Sequence, residues 1–429
     1  MKPIDFSEHR QRHIRSDLEN KTVSADLAAR AERSQRGDTI SWEFPMEREA
    51  KRRALLNAVE RVRDNILSGA DEAEAMATLP NATVNALYKE GLFALKLPAV
   101  LGGAEADPAT QMDVIEAIAR LDASAAWCVM IGATTIAIPA VFLPDAAVAQ
   151  MFAGGRVPMA AGVLMPTGQA VPVDGGYVVS GRWAFASGIR HAQWVSASAR
   201  VLHDDSGPSE LRWMVLPVSK IQIHDNWQVV GLKGTGSCDF SVSDQFVPAE
   251  FTFDIQRPQR GGPLYQLGIP GFVANEHAAF SLGVGRRALD TIAELAQSKR
   301  RGFGQPSSLA TRAAFQHDLA ESDLRLRAAR ALVMEIFEQA WKTVCNGDAP
   351  LPQLQAEMRS AAAFATEAAL EVVTQSFRYA GGTAVYLTNI LQRCLRDLNT
   401  AAQHFMVSTS AYENYGKCLL GLPDADPMG

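Results

Sequence analysis

The sequence predicts a mainly α-helical protein with a central β-domain, and three observations support this fold class. Residues 46–155 place apolar side chains at helical spacing. Residues 156–260 are richer in valine, glycine, threonine, serine and aromatic residues, with repeated turn signals. Residues 270–421 contain four long amphipathic segments, the pattern of an antiparallel four-helix bundle. Because 429 residues suffice for two or three domains, we expect an N-terminal helical domain, a middle β-barrel or sandwich, and a C-terminal bundle.

The composition argues against several classes of protein. A formal net charge of −6 disfavours a nucleic-acid-binding surface. The sequence contains no run of the roughly 18 apolar residues that a membrane helix needs, and no secretory signal is expected at its N-terminus. The five cysteines are widely spaced and form no C-x-x-C pair. We therefore expect reduced thiols, a cytoplasmic location and no metal site.

The N-terminal region divides into a charged segment and a series of helices. Residues 1–45 carry few large apolar side chains and are expected to form an exposed helical arm. The longest apolar helix follows Asp122 and is expected to be buried and too short to span a bilayer. Helices are predicted over Glu47–Ser68, Thr83–Glu90, Pro108–Leu121 and Ala125–Ala140.

The middle region alternates short runs of high β-propensity with turns, as in a small barrel or sandwich. Within it, the GLKGTGS segment Gly231–Ser237 has three glycines that permit close backbone approach to a ligand, and hydroxyls at Thr235 and Ser237. Strands are predicted over Tyr177–Phe185, Val195–Leu202, Arg212–Pro217, Ile221–Val229 and Ser237–Val247.

The C-terminal region is predicted to be helical throughout. Gly283-x-Gly285-x-x-Ala288 matches a loose dinucleotide-binding pattern, but a helix is predicted before it where that motif requires a strand. We therefore interpret these glycines as positions of close helix packing. The four bundle helices are predicted over Phe272–Ala296, Thr311–Thr343, Leu354–Ala380 and Tyr386–Tyr415.

The segment Gly181–Trp194, GRWAFASGIRHAQW, is the strongest candidate for a ligand site. A strand leads into it, and Ser187 then lies between small residues, close to the rings of Trp183 and Phe185. Small residues allow the backbone to approach a bulky group, so a planar cofactor with a hydrogen-bonding edge would fit. The alternative from these residues alone is a bulged strand with aromatic side chains in the core.

The order of the three domains, together with four motifs, resembles the acyl-CoA dehydrogenase fold over about residues 46–415. The four motifs occur in the order found in that family. They are the DGGYVVSG segment, the turn Ala184–Gly188, the RRGFG segment with Arg300 and Phe303, and Gly381-Gly382 followed by Arg393 and Arg396-Asp397.

Within this fold, the sequence is most similar to the flavin-dependent monooxygenases that serve as oxygenase components of two-component aromatic hydroxylases. The similarity includes a DAS-x-x-W segment that ends at Trp127 and a closing Val247-Pro248. It also includes a G-x-W-x-x-x-SG-x-x-H-x-x-W pattern containing Trp183, Ser187, Gly188, His191 and Trp194, and a GTGS segment, Gly234–Ser237.

The resemblance implies a reaction and a set of partners. Reduced FMN or FAD from a separate NAD(P)H:flavin reductase would react with O2 to form a C4a-hydroperoxide, which would hydroxylate a small phenolic or indole-like substrate. Oxygenation of a nitrogen or sulfur atom is an alternative. The chain would form a homotetramer, and loops at 98–107 and 261–271 would line part of the substrate pocket.

The resemblance also assigns roles to individual residues. Ser187 would hold flavin N5, and His404 would hold or protonate the peroxide or deprotonate a phenol. Arg300 would bind the flavin phosphate of the same or of a neighbouring subunit. Trp127 and His191 would contact the substrate. The predicted cofactor-binding residues are Trp183, Phe185, Ser187, Gly188, Thr235, Ser237, Arg300, Phe303, Gly381 and Gly382.

An acyl-CoA dehydrogenase is the main alternative. That reaction needs a carboxylate base, which many family members place eight residues after the Arg-Asp pair. Phe405 occupies that position here, and Glu413 lies two helical turns later. The neighbouring His404 matches the oxygenase branch instead.

Overall fold

The computed structural model describes residues 42–202, 210–302 and 307–428. Residues 1–41 of the predicted arm, and the predicted flavin contact Phe303, lie outside the described residues. The short helix Asp145–Met151 was not predicted, because seven residues carry little periodic signal. The N-terminal helices of the described chain are α1 Arg48–Met76, α2 Asn81–Lys89, α3 Pro108–Ala119, α4 Ala123–Phe142 and α5 Asp145–Met151.

Helix α4 lies at the centre of the N-terminal region. It begins at Asp122, whose carboxylate accepts a hydrogen bond of 2.8 Å from the backbone N–H of Ala125. With 20 residues, the helix is long and apolar enough to cross a membrane, so the expectation that it would be too short was wrong. Within its apolar stretch of 18 residues, 78% are buried inside the protein, which confirms the predicted buried helix.

The middle region forms one mixed sheet of seven strands in the order β5-β6-β2-β1-β3-β4-β7. Within the described residues, β5 and β7 are the ends of the hydrogen-bonded sheet and do not pair with each other. The sheet forms the predicted central β-domain. The strands are β1 Ala160–Val173, β2 Gly176–Trp183, β3 Trp194–Val201, β4 Glu210–Pro217, β5 Gln222–Ile223, β6 Phe240–Pro248 and β7 Thr252–Phe253.

The central strand β1 was missed by the sequence analysis. It pairs antiparallel with β2 and parallel with β3, and its register shifts between Val163 and Gly168. Pro166 and Pro172 interrupt the pattern by which strands are recognised. Conversely, the strand predicted over Ile221–Val229 is reduced to the two residues of β5.

The C-terminal region confirms three of the four predicted bundle helices, but the fourth is broken. The helix ends at Ala401, a 3₁₀ turn preceded by His404 follows, and a new helix begins at Ser410. The bundle elements are α6 Gly268–Ser298, α7 Ala313–Cys345, α8 Pro352–Ala380, α9 Ile390–Ala401 and α10 Ser410–Leu419. A short ribbon, β8 Arg300–Arg301 with β9 Ser307–Ser308, connects α6 to α7.

The glycines of the dinucleotide-like pattern lie inside α6 and pack against other helices. A Cβ atom on Gly283 would lie 2.6 Å from the carbonyl oxygen of Glu116 in α3. The same addition at Gly285 would lie 3.0 Å from Leu326 in α7. The interpretation of these glycines as close-packing positions is therefore confirmed.

Candidate active site

A cavity of about 330 Å³ lies between α4, strands β1 and β3, the start of α6 and the segment after α9. Its walls are mainly apolar, and its volume lies in the range typical of small-ligand sites. The predicted loop 261–271 contributes to it, whereas none of its lining residues comes from 98–107. Its polar lining residues are Thr134, Thr135, Ser196, Tyr265, Glu276, His277 and His404.

Two histidines stack at one wall of this cavity. The rings of His277 in α6 and His404 lie 4.3 Å apart between centroids, at 26°. Burial, with a smaller effect of Arg359, lowers the pKa of His404 to about 4. Burial, followed by the neighbouring His404, also lowers the pKa of His277 well below its ordinary value. Both imidazoles are therefore neutral at pH 7, and any pH dependence that His404 causes lies on the acid side of the ordinary imidazole pKa.

The tautomer of His404 is set by its own turn. Its Nδ1 accepts a hydrogen bond of 3.3 Å from the backbone N–H of Met406. A neutral imidazole that accepts at Nδ1 carries its proton on Nε2. At neutral pH His404 can therefore donate a hydrogen bond from Nε2 but is a weak proton donor or acceptor.

Arg359 fixes the segment that carries His404. This arginine of α8 is buried, and its Nη2 donates to the Phe405 carbonyl at 2.8 Å and to the hydroxyls of Ser408 and Ser410 at 3.2 Å. Its Nη1 donates to the Met428 carbonyl, which ties the C-terminal residues to the same point. Since one guanidinium joins two chain segments, it substitutes for the helical hydrogen bonds that the break after α9 removes.

A chain of hydroxyl groups leads from Trp127 into the β-domain. Trp127 Nε1–H donates to Ser187 Oγ at 3.0 Å, Ser187 bonds to Ser237 at 2.7 Å, and Ser237 bonds to Thr235 at 2.7 Å. Thr235 donates its only hydroxyl proton to the Leu232 carbonyl at 2.8 Å. Ser237 must then donate to Thr235, and Ser187 to Ser237. This direction leaves Ser187 with one unused acceptor lone pair.

Trp127 joins the hydroxyl chain to the cavity wall. Its ring makes edge-on contacts with His277 and His404, at centroid distances of 5.3 and 5.8 Å. It does not itself line the cavity, so the predicted substrate contact is corrected to a supporting position behind the histidines. The predicted catalytic residues Ser187 and His404 are thus connected through one indole.

The Arg-Asp pair of α9 holds the GLKGTGS segment in place. Asp397 Oδ1 accepts from the backbone N–H of Leu232 at 2.6 Å, and Arg396 Nη1 donates to the Val230 carbonyl at 2.6 Å. A Cβ on Gly231 would lie 2.1 Å from the Arg396 carbonyl oxygen, so glycine is required by close approach. Burial raises the pKa of Asp397 to about 7, and the Leu232 N–H opposes the shift.

Several predicted site residues have other tasks in the structure. Trp183 has no exposed surface, donates to the Ser198 carbonyl and stacks on Phe240, so it belongs to the core of the β-domain. The hydroxyl protons of Thr235 and Ser237 are used within the hydroxyl chain, where both residues orient Ser187, and each oxygen keeps one acceptor lone pair. Contact of either residue with a cofactor stays a prediction. Spacing alone does not reveal which face of a bulge is covered, so the burial of Trp183 was not predicted.

Two predicted residues flank Ser187 on the open side of the turn. Phe185 is 71% exposed and has a φ of 68°, an uncommon and strained conformation for a bulky residue. Gly188 also has a positive φ, of 72°, and its N–H donates to the Thr235 carbonyl at 2.9 Å. His191 contacts Thr78 at 3.1 Å and lines a separate small cavity together with Ser187 and Gly188, not the cavity of about 330 Å³.

The predicted cofactor-binding residues Arg300, Gly381 and Gly382 lie away from the cavity. Arg300 and the Gly381-Gly382 turn are brought together by a hydrogen bond of 2.6 Å from Lys299 Nζ to the Thr383 hydroxyl. None of these residues lines the cavity, and Arg300 is exposed. The structure therefore separates this group from Ser187 and His404 within one subunit.

The sequence analysis missed a buried ion pair beside the cavity. Lys96 Nζ lies 2.5 Å from Glu276 Oε2, and both side chains are almost completely buried. Glu276 is the only carboxylate among the described lining residues, while Phe405 lines the cavity and Glu413 is exposed. The polar run Asn275-Glu-His277, between the apolar stretches Phe272–Ala274 and Ala278–Phe280, was the available signal.

Comparisons with known proteins agree with this architecture. Residues 49–143 match the family described as "Acyl-CoA dehydrogenase, N-terminal domain", and residues 276–409 match "Acyl-CoA dehydrogenase, C-terminal domain". The indole-3-acetate monooxygenase of Pseudomonas putida is 30% identical over 365 residues, covering 85% of this chain and 92% of that protein.

Two further similarities concern the oxygenase branch. The flavin-dependent monooxygenase oxygenase subunit HsaA of Mycobacterium tuberculosis is 26% identical over 394 residues, covering 87% of this chain and 97% of its own length. The structure of XiaF from Streptomyces sp. in complex with FADH2 and glycerol superposes with a TM-score of 0.81 at 26% identity, covering 88% and 97% of the two chains. The chain belongs to the flavin-dependent monooxygenases built on the acyl-CoA dehydrogenase fold.

Proposed function

We propose that this protein is the oxygenase component of a two-component system that hydroxylates a small aromatic substrate. It would use O2 and reduced FMN or FAD supplied by a separate NAD(P)H:flavin reductase. The observation that carries the proposal is the link from Ser187 through Trp127 to the neutral His404 at the wall of an apolar cavity. The family relationship and the similarity to XiaF, which was solved in complex with FADH2, support the same reaction.

The residues around Ser187 fit a flavin. The exposed ring of Phe185 offers an apolar surface on a strained turn, and strained exposed residues concentrate at ligand sites. Gly188 allows the backbone beside Ser187 to approach a planar ring closely. Bound reduced flavin supplies the electrons that activate dioxygen for transfer of one oxygen atom to the substrate.

Ser187 is suited to the reduced form of the cofactor. Because its proton is directed to Ser237, its remaining capacity is that of an acceptor. N5 of a reduced flavin carries a proton, so Ser187 would accept a hydrogen bond from it. The hydroxyl chain would keep this lone pair oriented throughout the reaction.

In this proposal, His404 would donate a hydrogen bond to the oxygen atom that reacts. Its low pKa makes it a poor general acid and a poor base at pH 7. The Nε2–H of a neutral imidazole can still orient an oxygen atom. The closely packed rings of His277, His404 and Trp127 would keep water away from that oxygen.

The residues that lie away from Ser187 support assembly. Val385, Tyr386 and Leu387, next to the Gly381-Gly382 turn, are 70–73% exposed, and such an apolar run is typical of an interface. We propose a homotetramer in which this surface meets a second copy and Arg300 binds the flavin phosphate of that copy. The five cysteines are all free thiols, which supports a reducing cytoplasmic location.

The proposal is tested by supplying chemically reduced FMN or FAD without any reductase. Aerobic mixing with a panel of phenols and indoles is expected to yield hydroxylated product, and oxidised flavin with acyl-CoA thioesters is expected to remain oxidised. Rapid reduction of the flavin by an acyl-CoA thioester, without hydroxylation of any aromatic compound, would identify a dehydrogenase instead.

A further inference from the structure

Glu276 is a buried carboxylate with one oxygen to spare. Its Oε2 meets Lys96 Nζ at 2.5 Å and accepts from the Thr134 hydroxyl at 3.4 Å. Its Oε1 has no hydrogen-bond partner among the described residues, although the side chain is only 2% exposed. An unpaired buried acceptor is rare in folded proteins because it loses its hydration without compensation. Glu276 lines the cavity, and Oε1 itself has almost no accessible surface, so a modest turn of the carboxyl group would bring Oε1 to a donor on a ligand there.

We propose that Glu276 Oε1 recognises a ring N–H or O–H donor on an uncharged aromatic substrate, and that the Lys96–Glu276 pair discriminates against substrates that carry a carboxylate. The inference rests on the proposed function only in calling the ligand a substrate. The recognition itself depends on binding and not on oxygen chemistry.

Lys96 cannot serve as a partner for an acidic ligand. Its ammonium group has three protons, and three acceptors use them: the Thr134 hydroxyl at 2.9 Å, the Phe272 carbonyl at 2.6 Å and Glu276 Oε2. The described residues that line the cavity include no lysine and no arginine. A carboxylate brought into the cavity would lose its hydration, gain no cation and lie near Glu276.

Glu276 Oε1 accepts a hydrogen bond in either protonation state of the pair. If the proton stays on Lys96, Oε1 belongs to a carboxylate. If it moves to Glu276, it lies on Oε2, which faces Lys96, and Oε1 is then a carbonyl oxygen. The preference for a ligand donor is therefore independent of where the shared proton resides.

The remaining walls suit a flat apolar ring. Ile131 and Ile138 of α4 face Phe272 and Val273 of α6 around the same space. A cavity of about 330 Å³ accommodates a one- or two-ring aromatic compound. Apolar walls orient the ring, and the single acceptor then selects the edge that carries the donor.

The test compares the dissociation constants of matched ligands for the full chain, measured by calorimetry without reductant and with or without oxidised FMN. Indole should bind at least about tenfold more tightly than 1-methylindole, which lacks the N–H donor. Indole should also bind at least about tenfold more tightly than indole-3-acetate. The affinities of phenol and anisole repeat the comparison for an O–H donor. The relative affinities of indole and phenol then show whether an N–H or an O–H donor is preferred.

The variant that removes the acceptor is Lys96→Met with Glu276→Leu. Replacing both members of a buried ion pair avoids an uncompensated charge, whereas Glu276→Leu alone would leave Lys96 unpaired and could prevent folding. In the double variant the indole preference should fall to about one. A matched control, Arg330→Met with Glu116→Leu, removes an ion pair that does not line the cavity and should keep the parent ratio.

Equal binding of indole and 1-methylindole by the parent would overturn the inference, and so would an unchanged preference in a folded double variant. Failure of the proposed function gives a different pattern. A chain that hydroxylates nothing yet prefers indole through Glu276 retains the recognition site. If the protein hydroxylates aromatic rings but shows no preference for indole, the proposed function is supported and the inference about Glu276 is contradicted.

Discussion

The two sides of Trp127 use hydrogen bonding in opposite ways. On the β-domain side, the hydroxyls of Ser187, Ser237 and Thr235 all donate, and the chain ends at a backbone carbonyl. On the cavity side, His277 and His404 are held neutral by burial, and Glu276 keeps an oxygen without a donor. The first side is therefore ordered before any ligand binds, whereas the second retains unused capacity for a ligand.

The difference teaches how one site can hold a cofactor and still accept a substrate. A saturated network has one orientation, so it can present a fixed lone pair to a cofactor. A buried acceptor without a donor is costly, so it favours a ligand that supplies the donor. The predictions below alter one side at a time, and the last one concerns a residue that belongs to neither side.

The largest expected effect is on the turn that carries His404. Arg359→Met removes a buried guanidinium that donates to four acceptors, so the free energy of unfolding should fall by about 3 kcal/mol. Urea denaturation measures this change. The control is Arg327→Met, at a largely exposed arginine of α7. An equal loss of unfolding free energy in both variants would contradict the proposed stabilising role of Arg359.

Acid should destabilise the cavity side. Because the folded pKa of His404 is about 4, below its ordinary 6.5, the unfolded chain binds the proton more readily. Stability contributed by this group is complete above pH 6.5 and is lost as the pH falls toward 4. We expect His404→Gln to reduce the loss over this range by roughly 2 kcal/mol.

The control for this prediction is Gln403→Ala, at an exposed neighbour with no titratable group, which should keep the parent's pH dependence of stability. Denaturant titrations between pH 4 and 7 provide the measurement. A parent and a His404→Gln variant with parallel stability curves would contradict a buried neutral imidazole.

The hydroxyl side is expected to control coupling between flavin oxidation and product formation. Ser187→Ala should lower the product formed per reduced flavin by about tenfold. Ser237→Ala should lower it by about fivefold, because this variant keeps the Ser187 oxygen and removes only the group that orients the Ser187 hydroxyl. Released hydrogen peroxide should rise correspondingly. Ser180→Ala, whose hydroxyl contacts Asp244 in the same domain, should couple like the parent.

The smallest expected effect is at Glu413. Its side chain is exposed and does not line the cavity, so Glu413→Gln should retain hydroxylation within about twofold. Steady-state product formation is sufficient to check this. A complete loss of activity would revive the dehydrogenase assignment that the position of Phe405 disfavours.

The fold was largely accessible from the sequence, because long helices carry strong periodicity and the motifs appear in family order. Strand β1 was hidden by Pro166 and Pro172, and the break after α9 was hidden because it contains neither proline nor glycine. Such a break depends on a tertiary partner, Arg359, that periodicity cannot identify.

The candidate site was accessible only in part. Ser187 and His404 were found through motifs, and the structure connects them. The directions of the hydroxyl protons, the burial of Trp183 and the Lys96–Glu276 pair depend on contacts between residues far apart in sequence. Lys96 and Glu276 are separated by 180 positions, so no local pattern joins them.

The most direct test of the central claim is the origin of the oxygen atom in the product. The full chain is mixed with chemically reduced FMN or FAD, an indole or phenol, and heavy-isotope dioxygen, and the product is analysed by mass spectrometry. Our account predicts one labelled oxygen atom in each hydroxylated molecule, with no reductase present. Hydroxylated product whose oxygen comes from water, or no hydroxylated product at all, would contradict it.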